Sequence, residues 1–340
     1  MGIFVSVIMP IYNSGKYLKQ SLDSVISQSL CDIEIICIND GSTDNSLSIL
    51  EGYARRDSRI KIIDKKNSGY GNSMNIGIKE ACGKYIAILE PDDFIDLNMY
   101  SHLYRLAEEN NLDVIKSNYY EHEEKHHRDT YFEVLNGLPY NVVTSAFETE
   151  RILHMRPCIW SAIYRRDFLD AHYIKFNETL GASYQDTAFA FKVWVSASKV
   201  MFVKEAYLHY RIDNENSSVN SCGKIFNICD EFQSIQSYLN YNKDLRNHYS
   251  KILQVLKLDS YTWNLNRISD EYKEVFRDQI AIDFIKAEYD GFLDRSYFDD
   301  DRWNMVRMYI DSYIASHITQ NNGRTLLKIS LQKLKYKIFK

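Results

Sequence analysis

The chain has 340 residues, of which 45% are hydrophobic, and a formal net charge of −5. This length allows one large domain or two smaller ones, whereas the acidic balance without a basic stripe argues against nucleic-acid binding. No apolar run approaches the roughly 18 residues of a membrane span, and we expect no secretory signal. The six cysteines include no Cys-x-x-Cys pair, so we expect reduced thiols in a cytoplasmic protein.

The first hundred residues alternate between strand and helix patterns. Apolar β-branched runs predict four strands, at 5–9, 33–38, 60–64 and 85–89. Amphipathic stretches between them predict three helices, at about 15–28, about 44–55 and from the end of a Gly/Asn/Ser-rich loop to about 81. This alternation is typical of parallel strands joined by helical crossovers, in which ligands bind at the carboxyl ends of the strands.

The remainder of the chain is less regular and then helical. We predict a helix at 97–110, a strand at 114–120 and a strand at 130–134 that pairs with it. The His-rich stretch 121–127 between these strands is predicted to be a solvated hairpin tip rather than a metal cluster. From about residue 223 the pattern is helical, so we divide the chain into a domain at 1–220 and a helical region at 221–340.

The tail at 324–340 contains six basic residues and no acidic residue, with apolar residues between them. Such a segment can lie on an anionic membrane surface. It can equally be a terminal helix that docks by its apolar face and keeps its lysines in water.

Two predicted strands end at polar residues that suit a nucleotide. Asp40 can accept a hydrogen bond from the ring N–H of a uracil or thymine base, and Gly41 permits a sharp turn toward the ligand. Tyr12 can lie against a base or ribose, with Asn13 forming a hydrogen bond nearby. Taken by itself, each segment is better explained as an ordinary turn or strand end.

The strand at 85–89 ends at a group of carboxylates. Glu90, Asp92 and Asp93 lie within four residues, and their mutual repulsion at a buried strand end calls for a cation. Mg²⁺ or Mn²⁺ prefers oxygen ligands and bridges phosphate groups. The alternative is a solvated acidic turn.

The loop at 67–72 supplies glycines and amides immediately before a predicted helix. Unpaired N–H groups at a helix N-terminus favour anionic or hydroxyl-rich ligands. The loop has neither the Gly-Lys-Ser/Thr of a phosphate-binding loop nor the Gly-x-Gly-x-x-Gly of a dinucleotide site. NTPase and dehydrogenase functions are therefore disfavoured.

These segments, in this order, resemble the family-two inverting glycosyltransferases of the GT-A fold over roughly residues 4–220. The resemblance implies an α/β, Rossmann-like mixed sheet flanked by helices, followed here by the helical region. It implies Asp92 and Asp93 as ligands of Mn²⁺ or Mg²⁺. It further implies nucleotide and donor contacts from Pro10, Tyr12, Asn13, Asp40, Gly41, Ser42, Asn67, Gly69, Asn75, Glu90 and Asp92.

The resemblance continues in the second half of the domain. Gln185-Asp186-Thr-Ala-Phe matches a Glu-Asp-x-x-Phe segment whose Asp is the catalytic base, which implies that role for Asp186. Trp160 and Gln185 are implied at the acceptor cleft. His209 and Arg211, together with the segment 216–218, are implied near the diphosphate.

Two residues depart from the family pattern. Glu90 stands where the family more often has Asp, which bears on how the ribose or the donor sugar is held. Gln185 replaces the Glu beside the base. Because an amide cannot raise the pKa of its neighbour by charge repulsion, we expect a lower pKa for Asp186 than a Glu–Asp pair would give.

The predicted function is metal-dependent transfer of a sugar from a nucleotide sugar, with UDP favoured, to a hydroxyl of a glycan, lipid-linked or protein-linked acceptor in bacterial surface polysaccharide or glycoconjugate synthesis. The helical region is expected to contact the acceptor, the inner face of the cell membrane or a second copy in a homodimer. One alternative is a catalytically silent nucleotide-sugar-binding scaffold. Another, a nucleotidyltransferase, would need a basic Gly-rich loop near the N-terminus, and the sequence has none.

Overall fold

A computed structural model describes residues 2–179, 181–214 and 225–318. The chain divides into two compact units, residues 1–221 with 229–238 and residues 222–228 with 239–340. The predictions made for the segment 216–218 and for the tail 324–340 lie outside the described residues.

The first unit contains one mixed sheet, to which the described residues contribute nine strands. The strands are β1 (Val5–Ile11), β2 (Ile33–Asp40), β3 (Ile60–Lys65), β4 (Tyr85–Ile88), β5 (Phe94–Ile95), β6 (Val114–Glu123), β7 (Arg128–Phe132), β8 (Ala162–Arg165) and β9 (Val200–Arg211). Their order is β3-β2-β1-β4-β8-β6-β9-β5, with β7 paired to β6. Strands β1 to β4 are mutually parallel, whereas β8 runs antiparallel to both of its neighbours.

Ten α-helices lie within the described residues. They are α1 (Leu18–Ile26), α2 (Ser46–Ala54), α3 (Tyr70–Glu80), α4 (Met99–Asn110), α5 (Arg166–Ala171), α6 (Gln185–Ser196), α7 (Asn227–Tyr241), α8 (Lys243–Arg267), α9 (Asp270–Tyr289) and α10 (Asp300–Ile318). The predicted α/β architecture with a helical C-terminal region is therefore confirmed.

The central strands form because their apolar runs can be buried on both faces. Every residue of β1, β2 and β4 is buried, as expected for parallel strands covered by helices. The predicted pairing of the strand near 130 with the strand at 114–120 is confirmed by β6 and β7. The short strand β8 was not predicted, because four residues carry too little periodicity to be distinguished from a loop.

The register of these strands brings their carboxyl ends to one edge. Ile8 of β1 lies opposite Ile88 of β4, and Ile11 lies opposite Asn39 of β2. The polar residues that follow the three strands therefore share one rim of the sheet. Phe94 of β5 lies opposite His209 of β9, so β9 reaches the same region from the other side.

Helix α1 begins later than predicted, and the reason lies in Asp44. The Asp44 carboxylate accepts hydrogen bonds from the N–H groups of Gly15 (2.9 Å) and Ser46 (3.0 Å). Residues before Leu18 are thus held in a turn against the start of α2.

The second unit is helical and has its own buried side chains. Tyr261 of α8 packs edge-on against Phe276 of α9 with ring centroids 5.6 Å apart, and both residues are buried. Asn242 caps α8 by accepting hydrogen bonds from the N–H groups of Asp244 and Leu245. Among the described helices, none combines the length and the apolar character needed to cross a membrane.

We expect Gly71→Ala to lower the free energy of unfolding by about 1–3 kcal/mol, as overpacking does. A Cβ at Gly71 in α3 would lie 1.9 Å from the backbone oxygen of Asn177, so the chain near Asn177 must move. The control is Gly52→Ala in α2, where a Cβ approaches only an Arg55 side-chain atom at 4.0 Å. It should gain up to about 1 kcal/mol of helix propensity. Urea unfolding of both variants measures the difference, and equal stabilities would contradict this account of the packing.

Candidate functional site

Asp40 at the end of β2 holds the neighbouring loop. Its Oδ1 accepts the N–H of Ser68 (2.8 Å), its Oδ2 accepts the N–H of Gly69 (2.9 Å), and Lys65 forms an ion pair with it. Gly69 has a φ of +94°, and a Cβ there would lie 2.8 Å from the backbone oxygen of Thr179. A direct contact from Asp40 to a base stays a prediction.

The turn after β1 is tied to the turn after β2. The N–H of Asn13 donates to the Ser42 Oγ (3.0 Å), and the Asn13 Oδ1 accepts the N–H of Thr43 (2.7 Å). Gly41, with a φ of +70°, leaves no room for a Cβ, which would lie 2.8 Å from the Asn67 nitrogen. The Tyr12 side chain projects from this rim and is 52% exposed, so its ring offers a surface to a flat ligand.

Three further predicted donor residues differ in exposure. Pro10 is buried within β1, and Asn67 is exposed in the loop. The Asn75 amide is used on both sides: its Oδ1 accepts the N–H of Phe176 (2.9 Å), and its Nδ2 donates to the Phe176 oxygen (3.0 Å) and to Glu178 (2.9 Å). In this structure Asn75 holds the irregular segment at 176–178, and its donor contact stays a prediction.

The acidic turn at 90–93 concentrates negative charge in a buried place. The N–H of Asp93 donates to the backbone oxygen of Glu90 (3.2 Å), which closes the turn. Burial, with Asp92 and Asp186 nearby, raises the pKa of Glu90 to about 8, although the hydroxyl of Tyr70 donates to it at 2.6 Å. Burial also raises the pKa of Asp93 well above its usual range, and the charge of Asp92 adds to this effect.

Arg211 at the end of β9 holds this turn in place. Its guanidinium is fully buried, donates to the backbone oxygen of Asp92 (2.9 Å) and to Gln20 (2.7 Å), and forms an ion pair with Glu124. Its backbone N–H donates to the Asp93 Oδ1 (2.9 Å). Arg211 therefore contacts the acidic turn through the backbone of Asp92 and the side chain of Asp93. The predicted contact with a diphosphate stays a prediction.

Asp186 lies in the first turn of α6 and belongs to the same electrostatic environment. Its charge raises the pKa of Glu90, so the two carboxyl groups lie within range of each other. Burial raises the pKa of Asp186 to about 6, while hydrogen bonds from Thr187 and the charge of Arg156 oppose the rise. Burial thus raises the pKa of Asp186 even though Gln185 brings no charge.

Gln185 is buried and its amide closes the loop before α6. Its amide nitrogen, Nε2, donates to the Thr179 hydroxyl (2.8 Å) and to the Gly181 oxygen (3.2 Å). Its Oε1 accepts the N–H of Ser183 (2.5 Å). A carboxylate could not donate these two hydrogen bonds. The amide at this position therefore serves to hold the loop before α6. The predicted contact of Gln185 with the acceptor stays a prediction.

An aromatic wall lies beside these acids. The Trp160 ring stacks on the Tyr210 ring with centroids 5.1 Å apart and an angle of 7° between the planes. The charges of Asp93 and Asp92 raise the pKa of Tyr210 after the larger effect of burial, which places this ring near the acidic turn. The guanidinium of Arg156 lies 5.7 Å from the centre of the Tyr210 ring. Trp160 itself is buried behind this ring, and its predicted acceptor contact stays a prediction.

His209 is the predicted site residue with the most different surroundings. It stacks between Phe94 (4.3 Å) and Tyr120 (5.0 Å), and its ring nitrogens face Asp96 and Asp129. Phe94 directly follows the acidic turn, but the ring nitrogens of His209 face Asp96 and Asp129 rather than the turn's carboxylates. Its predicted proximity to a diphosphate stays a prediction.

Three residues near Asp186 or Glu90 were missed by the sequence reasoning. Tyr70 lies in the glycine-rich loop of the sequence and is the first residue of α3. Its hydroxyl donates to Glu90, and its place at a helix start could have indicated a site residue. Arg156 lies four residues before Trp160 and could have been found there. Glu231 of α7 is fully buried, accepts the N–H of Ala188 (3.3 Å) and interacts with Asp186. Nothing in the sequence pattern indicates that this helix returns to the site.

The acidic turn fits a hard divalent cation. The Asp93 Oδ2 is buried and lacks a hydrogen-bond partner among the described residues. The Asp92 carboxylate is partly exposed and accepts a hydrogen bond from the Asn214 amide (2.8 Å). Oxygen ligands from two adjacent carboxylates, one of them unsatisfied, match what Mg²⁺ and Mn²⁺ require.

Comparison with known proteins gives a consistent result. The family model described as Glycosyl transferase family 2 matches residues 6–172. The uncharacterized glycosyltransferase EpsJ of Bacillus subtilis is 35% identical over 219 residues, which are 63% of this chain and 62% of EpsJ. The glycosyltransferase GlyG of Streptococcus pneumoniae is 32% identical over 219 residues, which are 62% of this chain and 71% of GlyG. The chain thus spans less than two thirds of the length of EpsJ.

A solved structure shows the same fold. The crystal structure of S. aureus TarS in complex with UDP-GlcNAc superposes with a TM-score of 0.60, and the match covers 92% of each chain at 20% sequence identity. The predicted GT-A architecture is confirmed by this match.

We expect Glu231→Gln to reduce the loss of stability at alkaline pH. Burial raises the pKa of Glu231 to about 8 from an ordinary value of 4.5. Between these values the folded chain keeps a proton that the unfolded chain has released, so stability falls as the pH rises through this window. The Gln variant removes this titration and keeps an oxygen for the Ala188 N–H. The measurement is urea unfolding at pH 5.5 and 8.5.

The matched control for this prediction is Glu51→Gln on the exposed side of α2. It should lose as much stability between the two pH values as the unaltered protein. If Glu231→Gln shows the same loss as this control, the Glu231 carboxyl is not protonated in the folded chain.

Proposed function

The chain belongs to glycosyltransferase family 2, and from this premise we propose that it moves a sugar from a UDP-sugar to a hydroxyl with inversion at the anomeric carbon. The acceptor is a glycan, a lipid-linked molecule or a protein-linked molecule. The proposal rests on the residues of the site, because the chain covers only 62% of the length of EpsJ.

The observation that carries the proposal is the gathering of carboxyl groups beside an open rim of the sheet. Burial raises the pKa of Glu90, Asp93 and Asp186. The charges of Asp92 and Asp186 raise the pKa of Glu90 further, and those of Asp92 and Glu90 raise the pKa of Asp93 further. Grouped and partly buried carboxylates destabilise the fold unless a cation neutralises them. Raised pKa values of this kind are typical of residues that exchange protons with a substrate. Metal-dependent transfer from a diphosphate-linked donor requires both a cation and a proton acceptor.

The donor side is supported by the rim at the ends of β1 and β2. The exposed Tyr12 ring and the loop fixed by Asp40 lie where these two strands end. The rigid turn made by Asn13 and Ser42 keeps this edge preorganised. TarS, which shares the fold, is described in complex with UDP-GlcNAc, and this supports a UDP-sugar here.

Asp92 and Asp93 are the residues that would hold Mn²⁺ or Mg²⁺. When bound, such an ion supplies positive charge against the charge that develops on a departing diphosphate. Arg211 keeps both residues in position, since it is bonded to the backbone of one and the side chain of the other. We therefore assign Arg211 a positioning role.

Asp186 acts as the general base. A carboxylate with a pKa of about 6 is mostly ionised at neutral pH and is a stronger proton acceptor than an exposed Asp. It accepts the proton of the acceptor hydroxyl while that oxygen bonds to the anomeric carbon and the bond to the diphosphate breaks. The partly exposed Tyr210 ring, which stacks on the buried Trp160, offers an aromatic surface to an acceptor sugar.

We assign this chemistry to residues 1–220, and contacts with the acceptor, the cytoplasmic face of a membrane or a second copy to residues 221–340. The anionic-membrane contact of the tail 324–340 and the homodimer belong to this proposal. A role in surface polysaccharide or glycoconjugate synthesis is its biological setting.

Asp186→Asn should lower the rate of glycosyl transfer by about 10²–10⁴-fold, the usual contribution of a general base. The affinity for UDP should stay unchanged, because the amide keeps the shape of the carboxyl. Asp170→Asn, at an exposed position of α5, is the matched control and should keep full activity. Transfer by Asp186→Asn at the control rate would remove Asp186 from the role of base.

Metal-dependent hydrolysis of UDP-sugars, which needs no acceptor, tests the donor proposal. A panel of UDP-sugars is incubated with Mn²⁺, with Mg²⁺ and with EDTA, and released UDP is measured. We expect release with at least one sugar, loss of release with EDTA, and a large reduction in Asp92→Asn. UDP binding without turnover of any nucleotide sugar would favour the silent scaffold instead.

A further inference from the structure

We propose that His122, Asp129 and His209, which we call the histidine cluster, bind a borderline divalent transition ion of the Zn²⁺ class. The cluster joins three strands, because His122 lies on β6, Asp129 on β7 and His209 on β9. One ligand atom from each residue lies within 4.8 Å of the others. The inference does not depend on the proposed glycosyl transfer.

The two imidazole rings converge on one carboxylate oxygen. The His122 Nδ1 lies 2.7 Å and the His209 Nδ1 lies 3.0 Å from the Asp129 Oδ1. A tetrahedral zinc ion has bonds of about 2.0–2.2 Å, so its ligand atoms stand about 3.3–3.5 Å apart. The Asp129 side chain is partly exposed, and a movement away from the two rings would lengthen both N–O distances toward this value.

Each ring also has a carboxylate at its other nitrogen. The His122 Nε2 lies 3.2 Å from Glu124, and the His209 Nε2 lies 3.2 Å from Asp96. Histidines that bind metals usually donate their second N–H to a carboxylate, which fixes the ring orientation and strengthens the metal ligand. Both histidines of the cluster have this partner.

The hydrogen bonding is incomplete without a cation. A neutral imidazole has one N–H and one lone pair, so a ring between two carboxylates directs its lone pair at one of them. The Nδ1 of His209 is buried and has no properly oriented hydrogen-bond partner among the described residues, despite its 3.0 Å approach to Asp129. One divalent ion bound by both Nδ1 lone pairs would leave each Nε2 proton to its own carboxylate.

The choice of ion follows from the ligands and their surroundings. Two nitrogens and one oxygen suit Zn²⁺, Co²⁺ or Ni²⁺ better than the all-oxygen preference of Mg²⁺. The rings are held rigidly, since His209 stacks on Phe94 and on Tyr120. The side chain of Asp129 is 39% exposed, so an ion has a path from solvent and a place for a water ligand.

The position of the cluster suggests what the ion would stabilise. It would fasten the β6–β7 hairpin to β9, and Glu124, which lies in that hairpin, also pairs with the buried Arg211. The predicted solvated tip is found at residues 125–127, which are exposed, whereas His122 is buried in the strand. The proposed ion site therefore departs from the predicted solvated tip at His122 only.

The experiment titrates metal-free, full-length protein with Zn²⁺ and with Co²⁺. Calorimetry gives the affinity, the ligand-field spectrum of Co²⁺ reports nitrogen coordination, and the midpoint of thermal unfolding reports stabilisation. We expect one ion with nitrogen ligands and a higher midpoint. Asp129→Asn and His122→Gln should weaken binding by at least the ~10-fold that loss of an outer-shell partner causes.

Two controls locate the ion. His126→Gln changes an exposed histidine at the hairpin tip that faces Glu123, and it should bind Zn²⁺ normally. Asp92→Asn should also bind normally, because the acidic turn is a different site. The proposal is overturned if the unaltered protein binds no Zn²⁺, if Asp92→Asn abolishes binding, or if His126→Gln weakens it as much as Asp129→Asn. Since Asp129 is partly exposed, its variant should fold even where a change at buried His122 does not.

Discussion

The candidate site depends on one buried cation, the guanidinium of Arg211. The acidic turn after β4 brings one buried and two partly exposed carboxyl groups together, and their mutual repulsion opposes this arrangement. Arg211 supports the turn from β9, 118 residues further along the chain than Asp93. Its guanidinium also reaches Gln20 on α1 and Glu124 beyond β6. The Arg211 side chain thus connects the acidic turn after β4 and helix α1 to the β6–β7 hairpin.

A second theme is the use of amides where charge would be costly. The Asn75 and Gln185 amides each donate and accept hydrogen bonds that hold a segment next to the candidate site, and the Asn13 amide oxygen accepts the N–H of Thr43. Because an amide offers both donors and acceptors, one side chain can satisfy opposite backbone groups. The departure from the family pattern at Gln185 is explained in this way. It keeps the loop before Asp186 closed and adds no further negative charge to a region already rich in carboxylates.

His209 and Arg211 of β9 are close in the sequence but have different partners in the fold. His209 and Arg211 are separated by one residue and were predicted to act together. Residues two apart in a strand share a face, yet these two side chains have different partners. Arg211 meets the acidic turn, whereas His209 meets His122 and Asp129 from the β6–β7 hairpin. Both residues also contact the β6–β7 hairpin, Arg211 through Glu124 and His209 through Asp129.

The sequence by itself determined the alternation of strands and helices, the rim at the ends of β1, β2 and β4, and the acidic turn. These features are local, since they follow from apolar periodicity and from which residues end each run. Only the tertiary structure decided that Arg211 is buried against the turn, that Glu231 of α7 returns to Asp186, and that two histidines 87 positions apart face one carboxylate. These contacts depend on strand order and on the packing of helices. A pattern of residue types along one chain does not specify either of them.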